Sequence, residues 1–234
     1  MKDIRVLFLG NSHTFFNDMP HLFAEIYALT AGHEAQASML AYPGRTLAWH
    51  LNEYFSLRYA LMYGKLDYCF IQQAAHPFPR EEDTMSAGKE IARMCRDCGV
   101  TPVFSMTWAE RISPEAQPIM ARVYRRLARE TGALLSPVGE IWQDVREKHP
   151  DIELYYRDGA HASPYGDLLI AATHVATLVG SECPLRMTDH VLDFDLQYAD
   201  ARSPAAKMDE RSMRIPADPI KTESIRSLIV KHIS

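Results

Sequence analysis

Polar and apolar positions along this 234-residue chain fall in short blocks of two kinds. The first kind is a run of four to seven residues, mostly apolar rather than cleanly alternating: residues 4–9 (IRVLFL), 35–40 (AQASML), 67–72 (DYCFIQ), 101–106 (TPVFSM) and 133–137 (ALLSP). Runs of this kind are what strands covered on both faces require. The second kind has helical spacing. Met19, Leu22, Phe23, Ile26 and Leu29 recur every three or four positions and are closed by Gly32, and similar spacing runs through 82–98, 114–131 and 164–179. Strand, helix, strand, repeated, predicts an α/β fold in three layers, α/β/α, with a central parallel sheet of about five strands and right-handed crossovers. Ligands of such sheets bind beyond the carboxyl ends of the strands.

After about residue 185 the pattern changes. The stretch DARSPAAKMDERSMRIPADP, with prolines 204, 216 and 219, reads as an extended polar arm. Asp218-Pro219 then starts a helix with Ile225, Leu228, Ile229 and His232 on one face. The expected organisation is one α/β domain over residues 1–185 and a C-terminal extension, 186–234, whose terminal helix packs on the domain or on a partner.

Composition narrows the function. A chain that is 47% hydrophobic and 24% charged is an ordinary globular protein, long enough to bury roughly 70–75% of its unfolded surface. With a net charge of −5 and no basic run longer than Arg125-Arg126, nucleic acid is not an expected partner. No apolar stretch is long enough to span a bilayer, and VLFLG is too short for the apolar core of a signal peptide, so a cytoplasmic location and no membrane partner are expected. Cys69 sits in a strand-like run. Cys95 and Cys98 stand at the end of helix 82–98, just before Gly99; a helix C-terminus disfavours a thiolate, and zinc would need two more ligands. The ten histidines are scattered, and no metal or other cofactor is expected.

Candidate chemistry lies at both ends of the predicted domain. The first strand breaks at Gly10 into Asn11, Ser12, His13 and Thr14, which places Ser12 at the carboxyl edge of the sheet. The last strong helix opens at Ser163-Pro164, and RDGAHASP precedes it. Asp158 and His161, three apart in a glycine-containing turn, can meet through Nδ1 and leave Nε2 free. That is what a serine nucleophile needs, a base oriented by an acid.

GNSHT at 10–14, the glycine in YPGRTLAWH at 42–50 and DGAHASPYG at 158–166 together resemble the SGNH, or GDSL-type, hydrolases: esterases, lipases, thioesterases and carbohydrate deacetylases on a flavodoxin-like fold. The resemblance covers about residues 4–180. It implies Ser12 as nucleophile, Asp158 and His161 as its partners, and the N–H groups of Ser12 and Gly44 in the oxyanion hole. Asn11 stands where the commonest version has aspartate. The family's third block usually supplies an asparagine donor to the oxyanion, whereas this chain reads FIQQAAHPFPRE at 70–81. Gln73, His76 or Gln72 must take that place, with Gln73 preferred.

The expected activity is that of a serine esterase. It would cleave small carboxylic esters, O-acetyl groups on a carbohydrate or similar small molecule, through an acyl-enzyme, with Tyr42, Trp49, Phe78 and Trp108 as candidates for an acyl or sugar pocket and His13 and His50 nearby. Other readings are a short-chain lipase or thioesterase, and a non-catalytic small-molecule or carbohydrate-binding protein on the same fold. A phosphate or nucleotide binder would need a glycine-rich nest and a lysine that GNSHTF lacks. A homodimer is a further possibility.

Overall fold

The computed structural model describes residues 1–180, 183–193 and 214–233. Five parallel strands form the central sheet in the order β2-β1-β3-β4-β5: β1 (Ile4–Gly10), β2 (Ala35–Ala41), β3 (Tyr68–Ile71), β4 (Thr101–Ser105) and β5 (Leu134–Ser136). Each lies within two residues of the run that predicts it. Between them come α1 (Ser12–Phe15), a 3₁₀ turn (Phe16–Asp18), α2 (Met19–Ala31), α3 (Leu47–Asn52), α4 (Tyr54–Tyr63), α5 (Glu81–Asp97) and α6 (Gln117–Thr131); α7 (Val138–Lys148) and α8 (Pro164–Val179) follow. A short antiparallel pair, β6 (His190–Leu192) and β7 (Arg214–Pro216), and helix α9 (Pro219–Ile233) complete the described chain. Most of the predicted arm, residues 194–213, lies outside the described residues.

Alternation within the strands sorts the core into two halves. Val6, Phe8, Phe70 and Val103 face a layer made by α2, α7, α8 and α9, while Leu7, Leu9, Cys69, Ile71 and Phe104 face α3 to α6. Continuous apolar runs are thus needed because each strand has helices on both sides. The exceptions are the two edge strands: β2 is exposed at Gln36, Ala37, Ser38 and Met39, and β5 at Leu134.

Local signals set the ends of the helices. Gly32 closes α2 at φ 69°, in the left-handed region that favours glycine, and Ser163 caps α8 by accepting from Gly166 N at 3.1 Å, with Pro164 as its first residue. The helix expected over 114–131 begins as a 3₁₀ turn, Pro114–Ala116. Asp218 caps α9 by accepting from Ile220 N at 2.8 Å, and α9 buries Ile225, Leu228 and Ile229 in the same core as α8. His232 instead stays part-exposed, beside Asp144. Cys95 is buried against Cys69, and Cys98 is exposed at the end of α5.

Candidate active site

Strand order places the site. The chain leaves β1 for β2 on one side and returns with β3 on the other, so the β1–β3 boundary is where the topology switches, and in sheets of this kind a crevice opens there. Ser12 is two residues beyond the end of β1.

The turn that carries Ser12 is tightly determined. Asn11 caps α1, its Oδ1 accepting from His13 N at 3.1 Å, while its Nδ2 donates to Arg45 O at 3.1 Å and ties in the loop after β2. Gln72, just past β3, accepts from Asn11 N at 3.1 Å and from Thr14 Oγ1 at 2.9 Å. Gly10 is required by this packing: a Cβ there would lie 2.4 Å from both Gln72 Oε1 and Thr14 Oγ1. The Gly10 carbonyl accepts from His50 Nε2 at 2.7 Å and from Tyr42 N at 3.2 Å.

The turn before α8 is equally local. Gly159, at φ 73°, lets the chain fold back so that Asp158 Oδ1 accepts from Ala160 N at 2.9 Å and from His161 N at 3.0 Å. Asp158 Oδ2 is then 2.6 Å from His161 Nδ1, and His161 Nε2 is 2.8 Å from Ser12 Oγ. Partial burial pushes the Asp158 carboxyl up, but the two backbone N–H donors and the imidazole outweigh it and hold it below the usual range. The chain therefore brings Ser12, His161 and Asp158 into one hydrogen-bonded line across 149 residues of sequence. The two turns are also tied directly, since Asn17 Nδ2 donates to Ala162 O at 3.2 Å and to the buried Asp167 at 2.5 Å.

The third block divides. Gln72 supports the Ser12 turn as above. Gln73 is almost wholly buried, its Oε1 accepting from Leu47 N at 3.0 Å and Ala74 N at 2.9 Å and its Nε2 donating to Thr84 Oγ1 at 3.1 Å. Both ends of the amide preferred as oxyanion donor are thus engaged away from Ser12, and Gln73 holds the start of α3. His76 differs, because its Nε2 is buried without a hydrogen-bond partner, and burial, with the nearby His161, pushes its pKa down to about 4. Gly44 sits at φ 68° in the exposed Tyr42–Arg45 turn, closed by Arg45 N donating to Tyr42 O at 3.1 Å.

The aromatic candidates do not form one pocket. Trp108 is core, stacked on Trp142 at 4.3 Å, with only its edge reaching the site, where Nε1 donates to Ala160 O at 2.9 Å and the ring meets His13 at 5.2 Å. Phe78 packs on Tyr124, whereas Tyr42, Trp49 and Arg45 form a surface shelf. An open cleft of about 630 Å³ runs beside Asp158, lined among others by Glu110, Arg111, Glu153, Tyr155 and Arg157. Among the described residues no group of three or more ligand side chains is placed to hold a metal ion, and no helix is long and apolar enough to cross a membrane.

No protein-family profile matches the sequence, and no curated protein sequence is similar to it. Solved structures are similar in fold. One is TesA, at 16% identity and a TM-score of 0.61 over 74% of this chain and 97% of that one. Another is the acetylxylan esterase Axe2 from Geobacillus stearothermophilus, at 11% identity and a TM-score of 0.63 over 75% and 94%. A third is a lipase/acylhydrolase from Enterococcus faecalis, at 14% identity and a TM-score of 0.61 over 80% and 100%. At these identities the likeness is one of fold, shared with an acetylxylan esterase and a lipase/acylhydrolase.

Proposed function

We propose that this chain, which shares the fold of SGNH-type esterases, is itself a serine hydrolase of that superfamily that cleaves small carboxylic esters through Ser12, His161 and Asp158. The observation that carries the reading is the line of contacts Asp158 Oδ2 to His161 Nδ1, 2.6 Å, and His161 Nε2 to Ser12 Oγ, 2.8 Å, at the topological switch point. Ser12 Oγ attacks the ester carbonyl while His161 takes its proton, and Asp158 fixes the imidazole tautomer and stabilises its charge. The alcohol leaves with the proton from His161. Water then attacks the acyl-enzyme, deprotonated by the same base.

The tetrahedral oxyanion is received by the N–H groups of Ser12 and Gly44 and by His76. With its proton on Nε2, neutral His76 is a donor whose nitrogen has no other partner, the role an asparagine fills in the family resembled by the sequence. The leaving group is a polyhydroxylated alcohol and the acyl group acetate. Supporting this are the cleft beside Asp158, whose paired charges Arg111 and Glu153 (2.9 Å) suit hydroxyl groups, and a structural neighbour that is an acetylxylan esterase.

The test is hydrolysis of p-nitrophenyl acetate, butyrate and octanoate by the wild type and Ser12→Ala, with folding followed by circular dichroism. Acetate is the expected best substrate, and its turnover falls roughly 10³-fold or more in the folded variant. Equal rates for the two proteins would reject Ser12 as nucleophile, and no turnover above the uncatalysed rate by either would favour a non-catalytic binding protein.

A further inference from the structure

The imidazole of His161 has a ring on each face, and both rings belong to the turn that carries Ser12. Phe16 lies with its ring centroid 4.2 Å away and its plane 14° from that of His161. His13 lies 4.7 Å away at 24°. The two rings make no contact with each other among the described ring pairs, so the imidazole sits between them. Both are held from behind, His13 by Trp108 at 5.2 Å and His76 at 4.9 Å, and Phe16 by Tyr156 at 5.5 Å, edge-on.

The arrangement answers a mechanical need. Rotation about the Cβ–Cγ bond of a histidine is soft. Asp158 grips one edge of the ring, and its own side chain is 40% exposed on a loop. Without support on its faces the ring could swing and lose the 2.6 and 2.8 Å contacts together.

Resting on the hydrolase reading above, we propose that Phe16 and His13 clamp His161 as positioning residues: they fix the plane of the base, and the Phe16 face steadies the imidazolium formed when the base takes the Ser12 proton. An aromatic face attracts a cation set against it. His13 fits the other face because it stays uncharged there: burial first, then the neighbouring His161 and His76, drive its pKa well below the ordinary value. Both partners of His161 are thus compatible with its positive form.

The experiment compares wild type, Phe16→Leu, Phe16→Tyr, His13→Leu and His13→Phe by kcat and KM for p-nitrophenyl acetate as a function of pH, with folding checked by circular dichroism. Phe16→Leu is expected to lose roughly 10- to 100-fold in kcat with KM little changed, and the acid limb of its kcat/KM profile moves to lower pH because the imidazolium has lost its ring partner. Phe16→Tyr, which restores a ring, recovers most of the loss. If Phe16→Leu does not fold, His13→Leu against His13→Phe carries the same comparison in kcat. Folded leucine variants with wild-type kcat and pH profile, or a tyrosine variant as poor as the leucine one, would overturn the clamp.

Should the wild type hydrolyse no ester, the function reading fails, and the clamp is judged by proton NMR titration of the His161 ring. A midpoint lower in Phe16→Leu than in wild type supports it, and superimposable titrations reject it.

Discussion

At the scale of single residues, the site is built from side chains whose roles depend on which way they point. Asp158 and His161 are three apart in a turn that Gly159 permits, so their pairing is a local matter and is readable from RDGAH. Ser12 is readable too, as a polar break at the end of an apolar strand. The third block is where residue type leaves the choice open. Residue types there allow Gln72, Gln73 and His76 alike, but one glutamine braces the Ser12 turn, the other holds the start of α3, and only His76 has a buried nitrogen left over. The Phe16 ring escapes notice in sequence because an aromatic a few residues from Ser12 has no periodic signature, and His13 is read there only as a neighbour of the site. A prediction follows for His76: the substitution His76→Phe keeps a ring in place but removes the donor, and is expected to lower kcat for p-nitrophenyl acetate by roughly 10²- to 10³-fold with KM nearly unchanged. Steady-state kinetics decide it, and an unaltered kcat removes His76 from the oxyanion hole.

At the scale of elements, the strands are legible because two-sided burial imposes continuous apolar runs, and the long helices because one-sided burial imposes a period of three to four. What escapes is short or interrupted. The α3–α4 segment breaks at Glu53, and β6 and β7 have three residues each, too few to show a period. Helix α7 is different: Val138, Ile141, Trp142 and Val145 keep the helical spacing and are fully buried, so its signal is present in the sequence, although 138–148 is not among the helices expected from it. Helix α9 shows how an element outside the sheet contributes stability. Ile229 is fully buried against the α8 side of the core, while Ile220 on the same helix is 79% exposed. Urea unfolding is expected to show Ile229→Ala destabilised by about 2–4 kcal/mol and Ile220→Ala changed by less than about 0.5 kcal/mol. Equal effects would mean that α9 does not pack on the domain in solution.

At the scale of the whole molecule, buried histidines make stability depend on pH. Burial holds His174 neutral with its pKa down to about 3, set between Ser105 Oγ at 3.2 Å and Ser136 Oγ at 2.7 Å, and it holds His76 down to about 4. Both lie below the ordinary 6.5 of the unfolded chain, so the unfolded state binds more protons below that pH. Their contribution is present above about pH 6.5 and is lost as pH falls. His21 runs the other way: Asp18 and then Glu25 raise it to about 10, so its contribution is complete below 6.5 and is lost as pH rises toward 10, weakened by screening at this half-buried position. Thermal unfolding across pH is expected to show the highest Tm near about pH 6.5, with the steeper fall on the acid side where several histidines act together. A Tm that is flat from pH 6.5 to 4 would contradict the buried neutral state of His174 and His76. By itself the sequence determined the layered architecture, the strands and their order along the chain, and the identity of Ser12, Asp158 and His161 as a candidate set, because burial and turn chemistry act on neighbouring residues. Only the tertiary structure decided strand order in the sheet, the meeting of Ser12 with His161 across 149 residues, and the directions of Gln73, His76 and Phe16. Those depend on which distant surfaces pack together, and residue type alone does not fix where a side chain points.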